Sequence, residues 1–306
     1  MRLNHIRDFI AVADAGSMRA AARTLALSQP ALTKSIRQLE MELGGVLLSR
    51  GVRGVRPTEL GQAFLARARA ITLELGRARE EIDQLRGGRA GRLAIGCAPG
   101  PALGLVPAAL PRLRRRWPAA TISVTDISAA EVVGALRDGR LDVALSVRIG
   151  PLAEPRTECI AEPLYQNAAR IIARRGHPLA AARSLAELAD AEWVRTGGSD
   201  RTSLLPEAFR AAGLDAPRYR VECSSLFAVP EIVAQSDLLA VVPWQLAKRE
   251  ASAGHIAQLS LREPLATREI CLCRRADLPL TPIAAEFAQI VRGVAQRLAR
   301  AADNRQ

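Results

Sequence analysis

The sequence predicts an α/β chain with an all-helical start, and three observations carry that prediction. Three short helical patterns fill the first 58 residues, a single apolar seam at heptad spacing follows, and beyond residue 91 short apolar runs alternate with helix-like stretches. Alternation of the last kind means strands and helices in layers, with largely parallel sheets. The predicted divisions are 1–58, 59–90 and 91–306.

Within the first division, Leu3, Ile6, Ile10 and Ala13 give one apolar helix face that ends at Gly16, and Ser17 suits the cap of a short alanine-rich helix from Met18 to Leu25. A third helix opens at LSQPALTKSIRQLEMEL. Ser28 is its N-cap, Gln29 and Pro30 occupy a first turn that needs no amide partner, and Leu32, Ile36, Leu39 and Leu43 form the buried stripe. Two helices joined so tightly make a helix-turn-helix, here spanning 18–37. Gly54 and Pro57 in GVRGVRPTE then predict a two-armed wing carrying Arg53 and Arg56. The far side of the third helix presents Gln29, Pro30, Thr33, Lys34 and Arg37, an uncharged-to-basic face.

Charge makes that face a candidate for nucleic acid. The 306 residues carry a formal charge of +12. Residues 1–58 hold nine Lys/Arg against four acids, whereas the same surplus of five is spread over the 214 positions of 93–306. Positive density is concentrated where counterion release from phosphate would act. A helix N-terminus in a major groove would bring Gln29 to adenine, the Thr33 methyl to thymine and Lys34 to guanine, with Arg37, Arg50 and Arg53 on phosphates.

From Thr58 to Leu85, the residues Phe64, Ala68, Ile71, Leu75, Ala78, Ile82 and Leu85 are spaced 4, 3, 4, 3, 4, 3. A seam of that kind on an otherwise charged helix implies a partner helix, which makes Phe64, Ile71, Leu75, Ile82 and Leu85 the predicted dimerisation residues. Gly87, Gly88 and Gly91 break the helix and make a hinge. Beyond it GRLAIGC, ATISVTDI, LDVALSV, ARIIAR, EWVRT, YRVEC, LLAVVP and REICLCR read as strands.

Several function classes drop out. No window approaches the roughly 18 to 20 continuous apolar residues of a membrane span, and no secretory signal is legible, so the expectation is a cytoplasmic protein. Five scattered cysteines argue against a disulfide framework; Cys271 and Cys273, two apart in a strand, fall on one sheet face and are read as buried thiols rather than a redox or metal pair. Against an enzyme stand the lack of a Gly-Lys-Ser/Thr phosphate loop, of zinc spacing, and of a nucleophile beside His5, His177 or His255. No cofactor is expected.

The run GSMRAAARTLALSQPALTKSIRQLEMELGGVLLSRGVRGVRPTELGQAFL resembles the N-terminal signature of LysR-type transcriptional regulators, in order and spacing over about fifty residues. The resemblance puts the recognition helix on Gln29 to Leu39. It makes Gln29, Pro30, Thr33 and Lys34 base-contacting or groove-entering, and Arg50 and Arg53 backbone contacts. Thr33, Leu48 and Pro57 depart from the residues usual there. The segment LRDGRLDVALSV resembles the family's effector domain, which is similar to a two-lobed periplasmic binding protein; one lobe is then 91–161 plus 268–306 and the other 162–267. The resemblance further implies a homodimer through the linker helix, a homotetramer, a double-stranded DNA operator, a small-molecule effector and contact with RNA polymerase.

Ligands in such folds sit at the carboxyl ends of strands, between lobes. The candidates there are Pro99, Gly100, Pro101 and Ala102 in APGPA, then Ser128, Val147, Arg148, Ser199, Thr202 and Phe227. Helix N-termini and Arg148 would suit a carboxylate or sulfonate, held by amides because APGPA has no hydroxyl. RAREEIDQLRG, SDLLAVVP and RRADLPLTPIAAEF resemble a catabolic branch that includes the toluenesulfonate-responsive regulator, which implies a small aromatic acid. The alternatives that stay open are a thiol-based redox-sensing regulator of the same family, and a solute-binding protein or enzyme with an incidental helical N-terminus.

Overall fold

The structure, a computed structural model, describes residues 1–51, 54–148, 158–196, 204–263 and 265–303. It divides into two compact units, Met1–Gly88 and Arg89–Gln306.

The first unit opens with α1 (Leu3–Ala15), α2 (Met18–Thr24) and α3 (Gln29–Leu43). Ser17 accepts from the Ala20 amide at 3.4 Å and Ser28 from the Ala31 amide at 3.3 Å, so both predicted caps form. The buried stripe of α1 is Ile6, Phe9 and Val12, while Leu3 is exposed. The expected face is rotated because Phe9, the largest side chain available, takes the centre of the core and turns the helix toward it. Leu43 is likewise exposed, at the end of α3 where Gly44 turns the chain with φ 69°.

The wing is β1 (Leu48–Gly51) paired antiparallel with β2 (Gly54–Pro57), Leu48 opposite Pro57. Glu40 ties it to α3 by accepting from the Leu47 and Leu48 amides at 2.8 and 3.2 Å. Next, α4 (Glu59–Leu85) starts at Thr58, whose hydroxyl accepts from Gly61 at 3.0 Å and donates to the Val46 carbonyl at 2.7 Å. Gly61 has no substitute there, since a Cβ would lie 2.0 Å from the Leu47 carbonyl oxygen.

The predicted seam divides along α4. Ala68 is fully buried and Phe64 packs against the same core, its ring 5.4 Å from that of Phe9. Phe64 therefore packs within its own chain. Past that point α4 outruns α1, and Ile71, Ile82 and Leu85 are 39%, 51% and 72% exposed, with Leu75 half-buried.

The second unit holds two five-stranded sheets. The first has the order β4-β3-β5-β12-β6 and the second β11-β7-β10-β8-β9. The strands are β3 (Ala90–Cys97), β4 (Ala119–Asp126), β5 (Val143–Val147), β6 (Cys159–Asn167), β7 (Ala169–Arg174), β8 (Glu192–Thr196), β9 (Arg218–Cys223), β10 (Leu239–Pro243), β11 (Ile256–Leu259) and β12 (Arg268–Arg275). All eight expected strands form, with β6 and β11 in addition. The sheets are mixed rather than largely parallel: β3 pairs parallel with β4 and β5, but β12 pairs antiparallel with β5 and β6. In the second sheet β8 pairs parallel with β9 and β10, while β7 pairs antiparallel with β10 and β11.

The predicted boundary at residues 161 and 162 does not hold. All of β6 belongs to the first sheet, and the chain crosses at Ala168, between Asn167 and the first residue of β7. Pro163 hides this strand from a reading of the sequence. It is tolerated because β6 is an edge strand and Pro163 stands opposite Cys271, where the register shifts. The return crossing before Arg268 lies where expected.

On one face of the first sheet α5 (Pro99–Arg116) and α10 (Pro282–Asp303) cover Leu93, Ile95, Leu145 and Leu272. On the other α6 (Val132–Arg137) covers Ala94, Ala144, Cys271 and Cys273, the alternation a strand demands. α5 runs through Pro107 and Pro111, both exposed, so water can serve the carbonyls those prolines leave unbonded. The second sheet is sandwiched between a core around Trp193 and Phe209, the latter on α7 (Leu204–Ala211), and a core from α8 (Val229–Ala234) and α9 (Trp244–Ala253). No helix among the described residues is long and apolar enough to cross a membrane.

Candidate nucleic-acid interface and effector pocket

The buried stripe of α3 fixes which face is left over. With Leu32, Ile36 and Leu39 in the core, Gln29, Pro30, Lys34 and Arg37 are exposed and Thr33 is half-buried, and all five line one shallow groove. Gln38 and Met41 continue it, two residues the sequence reading did not single out although they follow Lys34 at helical spacing. Thr33 donates its hydroxyl proton to the Gln29 carbonyl at 2.9 Å, so that proton is engaged by its own helix. Ser35 donates to the buried Asp8 carboxylate, which fixes the rotation of α3 against α1. Arg50 lies in β1, its side chain outside the described residues, and Arg53 lies outside them altogether.

In the second unit a cavity of about 260 Å³ opens between the two sheets. Pro99, Gly100, Pro101 and Val147 line it, as predicted. Its floor is made by the two crossings, Asn167 to Ala169 on one side and Arg268 with Ile270 on the other. Thr196, Leu204, Cys223, Ser224, Leu226 and Val241 to Pro243 close it from the second sheet. The carboxyl end of β10 was within reach of the strand-end rule. Asn167 is out of reach of that rule, because it ends β6, a strand the sequence does not show.

Four predicted residues stand elsewhere. Ala102 turns into the α5 side of the core. Ser128 is exposed and donates to Glu131 at 2.6 Å, a bond that with the Ser128 amide holds that carboxyl below its usual range. It lies past the carboxyl end of β4, turned to Glu131 and away from the cavity. Arg148 is paired with Glu269 on β12. Phe227 is 62% exposed, and its neighbour Leu226 points inward instead. Ser199 and Thr202 lie outside the described residues.

A network joins the lobes beside the cavity. Gln245, on α9, donates through Nε2 to Asn167 Oδ1 at 2.8 Å and to the Tyr165 hydroxyl at 3.4 Å, both on β6. Burial raises the Tyr165 phenol above its ordinary value. The thiols behave similarly: desolvation pushes Cys97 up to about 12 and Cys271 up to about 11. No group of acidic, histidine or cysteine side chains among the described residues could hold a metal ion.

Known proteins match both units. The profile of the bacterial regulatory helix-turn-helix protein, lysR family, covers residues 3–62, and that of the LysR substrate binding domain covers residues 86–296. The chain is similar to the SDS degradation transcriptional activation protein of a Pseudomonas species, 32% identical over 288 residues that make up 92% of each chain. It is similar also to the small neutral protease regulatory protein of Streptomyces coelicolor, 34% identical over 76% of each. Among solved structures, full-length CbnR complexed with its target DNA superposes with a TM-score of 0.71 at 27% identity, covering 96% of this chain and all of that one. A full-length OxyR from Pseudomonas aeruginosa, TM-score 0.68 over 97% of both, is 23% identical and shares the fold alone. A helix-turn-helix unit followed by a two-lobed unit with a cleft, matched along its length by proteins that regulate transcription, makes this chain a member of the LysR family of transcriptional regulators.

Proposed function

We propose that this regulator reads its operator with the first turns of α3 and changes its action on DNA when a small molecule enters the cleft between the lobes. Gln29, Pro30, Thr33 and Lys34 meet base edges, and Arg37, Arg50 and Arg53 meet phosphates. Two copies pair through Ile71, Leu75, Ile82 and Leu85 of α4, whose exposure on a 27-residue helix supports that pairing. A homotetramer acting in the cytoplasm, in contact with RNA polymerase and without catalysis of its own, completes the proposal.

The observation that carries ligand response is the cavity at the two crossings. Any movement of one lobe on the other must pass through Ala168 and Thr267, and a molecule seated on that floor touches both sides. The rival redox reading has less support: sensor thiols are exposed and acidic, whereas Cys97, Cys271 and Cys273 are buried with their thiols shifted upward, which leaves only the half-buried Cys159 and Cys223 to carry it.

The test is Gly100→Trp. A Cβ at Gly100 would already lie 2.6 Å from Asn167 Nδ2, so an indole there fills the mouth of the cavity. DNase footprints of wild type and variant are compared with and without whichever member of a panel of aromatic acids and amides raises the thermal transition. The variant should keep its operator affinity and lose the ligand-induced change in footprint. An unchanged response would move the sensing site out of the cleft.

A further inference from the structure

The start of α5 is the wall of the cavity where a helix N-terminus would ordinarily meet an anion, and here that wall is stripped of donors. A helix normally leaves its first N–H groups free for a ligand. In this one Pro99 and Pro101 have no N–H, and the Ala102 N–H is bonded to the Ala98 carbonyl at 3.0 Å. Only Gly100 remains. No side chain caps the turn.

What replaces the missing amides is a neutral dipole. Asn167 Oδ1 accepts from Gln245, which leaves the Nδ2 protons of Asn167 over the first turn of α5, at the position where a Gly100 Cβ would clash. Behind them Gln245 Oε1 is buried without a hydrogen-bond partner and adds negative rather than positive potential. Among the described lining residues, the other polar groups offer little beyond the Ser224 hydroxyl. Thr196 donates its hydroxyl to the Val241 carbonyl at 3.3 Å and Cys223 its thiol to the Ser225 carbonyl at 3.4 Å. Arg268 is the one charged side chain among the described lining residues, and it already has an interaction within the protein.

We infer that the cleft selects a compact, uncharged molecule with an apolar body and one carbonyl-type acceptor, met by Asn167 Nδ2 and the Gly100 N–H. This rests on the cleft being the effector site. It keeps the small ring expected from the sequence and replaces its acid group with a neutral one. A buried carboxylate needs several charged or N–H partners to offset its lost hydration, and this wall supplies one amide and one carboxamide. The volume suits a substituted ring: a cavity of about 150 Å³ accepts benzene, and about 260 Å³ leaves room for a short substituent.

Benzamide and benzoate differ in little but charge, as do hexanamide and hexanoate, so calorimetric titration of the full chain with these four probes tests the class. Each amide should bind about tenfold or more tightly than its acid, the scale of one good hydrogen bond gained or lost. Pro101→Ala returns an N–H to the wall and should raise benzoate affinity about tenfold and benzamide affinity by less. Asn167→Leu should weaken benzamide by a similar factor. Acids that bind wild type more tightly than their amides overturn the class, as does a wild type that binds neither amide, or a folded Pro101→Ala without gain for benzoate. Binding that persists in a folded Gly100→Trp overturns instead the location of the site, and the two failures are thereby distinguished.

Discussion

Of the helices that carry proline in the first turn, α3 and α5 are built for opposite surroundings. At the head of α3, Ser28 caps the turn and the residues that follow are Gln29, Lys34 and Arg37, turned to water, with Thr33 half-buried between them. At the head of α5, the sequence APGPA supplies no hydroxyl, no charge and one free amide, and Gly100 and Pro101 are buried. Proline in a first turn costs nothing in either place, since its missing N–H would have been unbonded. The difference lies in what the remaining positions carry. A groove of DNA presents a dense, charged and varied pattern, which calls for side chains of several kinds. A cavity that excludes water penalises every unpaired polar group, so its wall is safest when nearly bare.

Three further experiments sharpen that contrast. The largest effect should come from Ile71→Glu, which leaves both helix starts untouched but separates the two copies of α3. Binding to an operator of two half-sites should fall by about a hundredfold or more, because the second contact ceases to be intramolecular. Light scattering reads the oligomeric state directly, and a variant that stays dimeric through α4 would show that the exposed half of the seam has no pairing role.

A smaller effect is expected at the reading face itself. Gln29→Ala should cost about 1 to 3 kcal/mol at the specific operator and leave random duplex nearly unaffected. Arg37→Ala, as the control, should weaken all duplexes and lower the salt slope by about one. Equal losses on both kinds of DNA for Gln29→Ala would remove α3 from the comparison as a reader of bases.

The smallest effect concerns the turn that delivers α3. Ala26 sits at φ 53°, in the left-handed region, between α2 and the cap residue Ser28. Ala26→Gly should stabilise the first unit by up to about 1 kcal/mol, measured by thermal unfolding, because glycine is free of the Cβ clash in that region. A loss of stability would mean that the methyl contributes more through packing than the backbone conformation costs.

Much of the DNA-binding unit was legible because its signals are local. Ser17, Ser28 and Gly16 mark helix ends within four residues of the groups they cap, and the third-helix stripe repeats at helical spacing. Where a longer side chain competes for the core, the local signal fails: Phe9 rotates α1 away from the face that Leu3 and Ile10 proposed. Phe64 shows the same competition, its ring engaged within the chain by that of Phe9. The cleft is legible at the ends of strands, β3 at Pro99 to Pro101, β5 at Val147 and β9 at Ser224 and Leu226. Ser128 and Phe227 obey the same rule of position and still miss, because Ser128 turns to Glu131 and Phe227 turns outward.

The sequence by itself determined the kind of protein: a capped helix pair with a basic reading face, a long helix with an apolar seam, and alternating strands and helices after a glycine hinge. Those features rest on interactions spanning a few residues, which composition and spacing encode directly. Only the tertiary structure decided where the chain crosses between lobes, that Asn167 and Arg268 form the cavity floor, and that Gln245 ties one lobe to the other. Such contacts join residues up to a hundred positions apart. Which partners meet there is settled by the registers of whole strands, as the extra residue Leu164 in β6, opposite Ile270 and Cys271 of β12, shifts the pairing along that edge, and no local pattern contains that information.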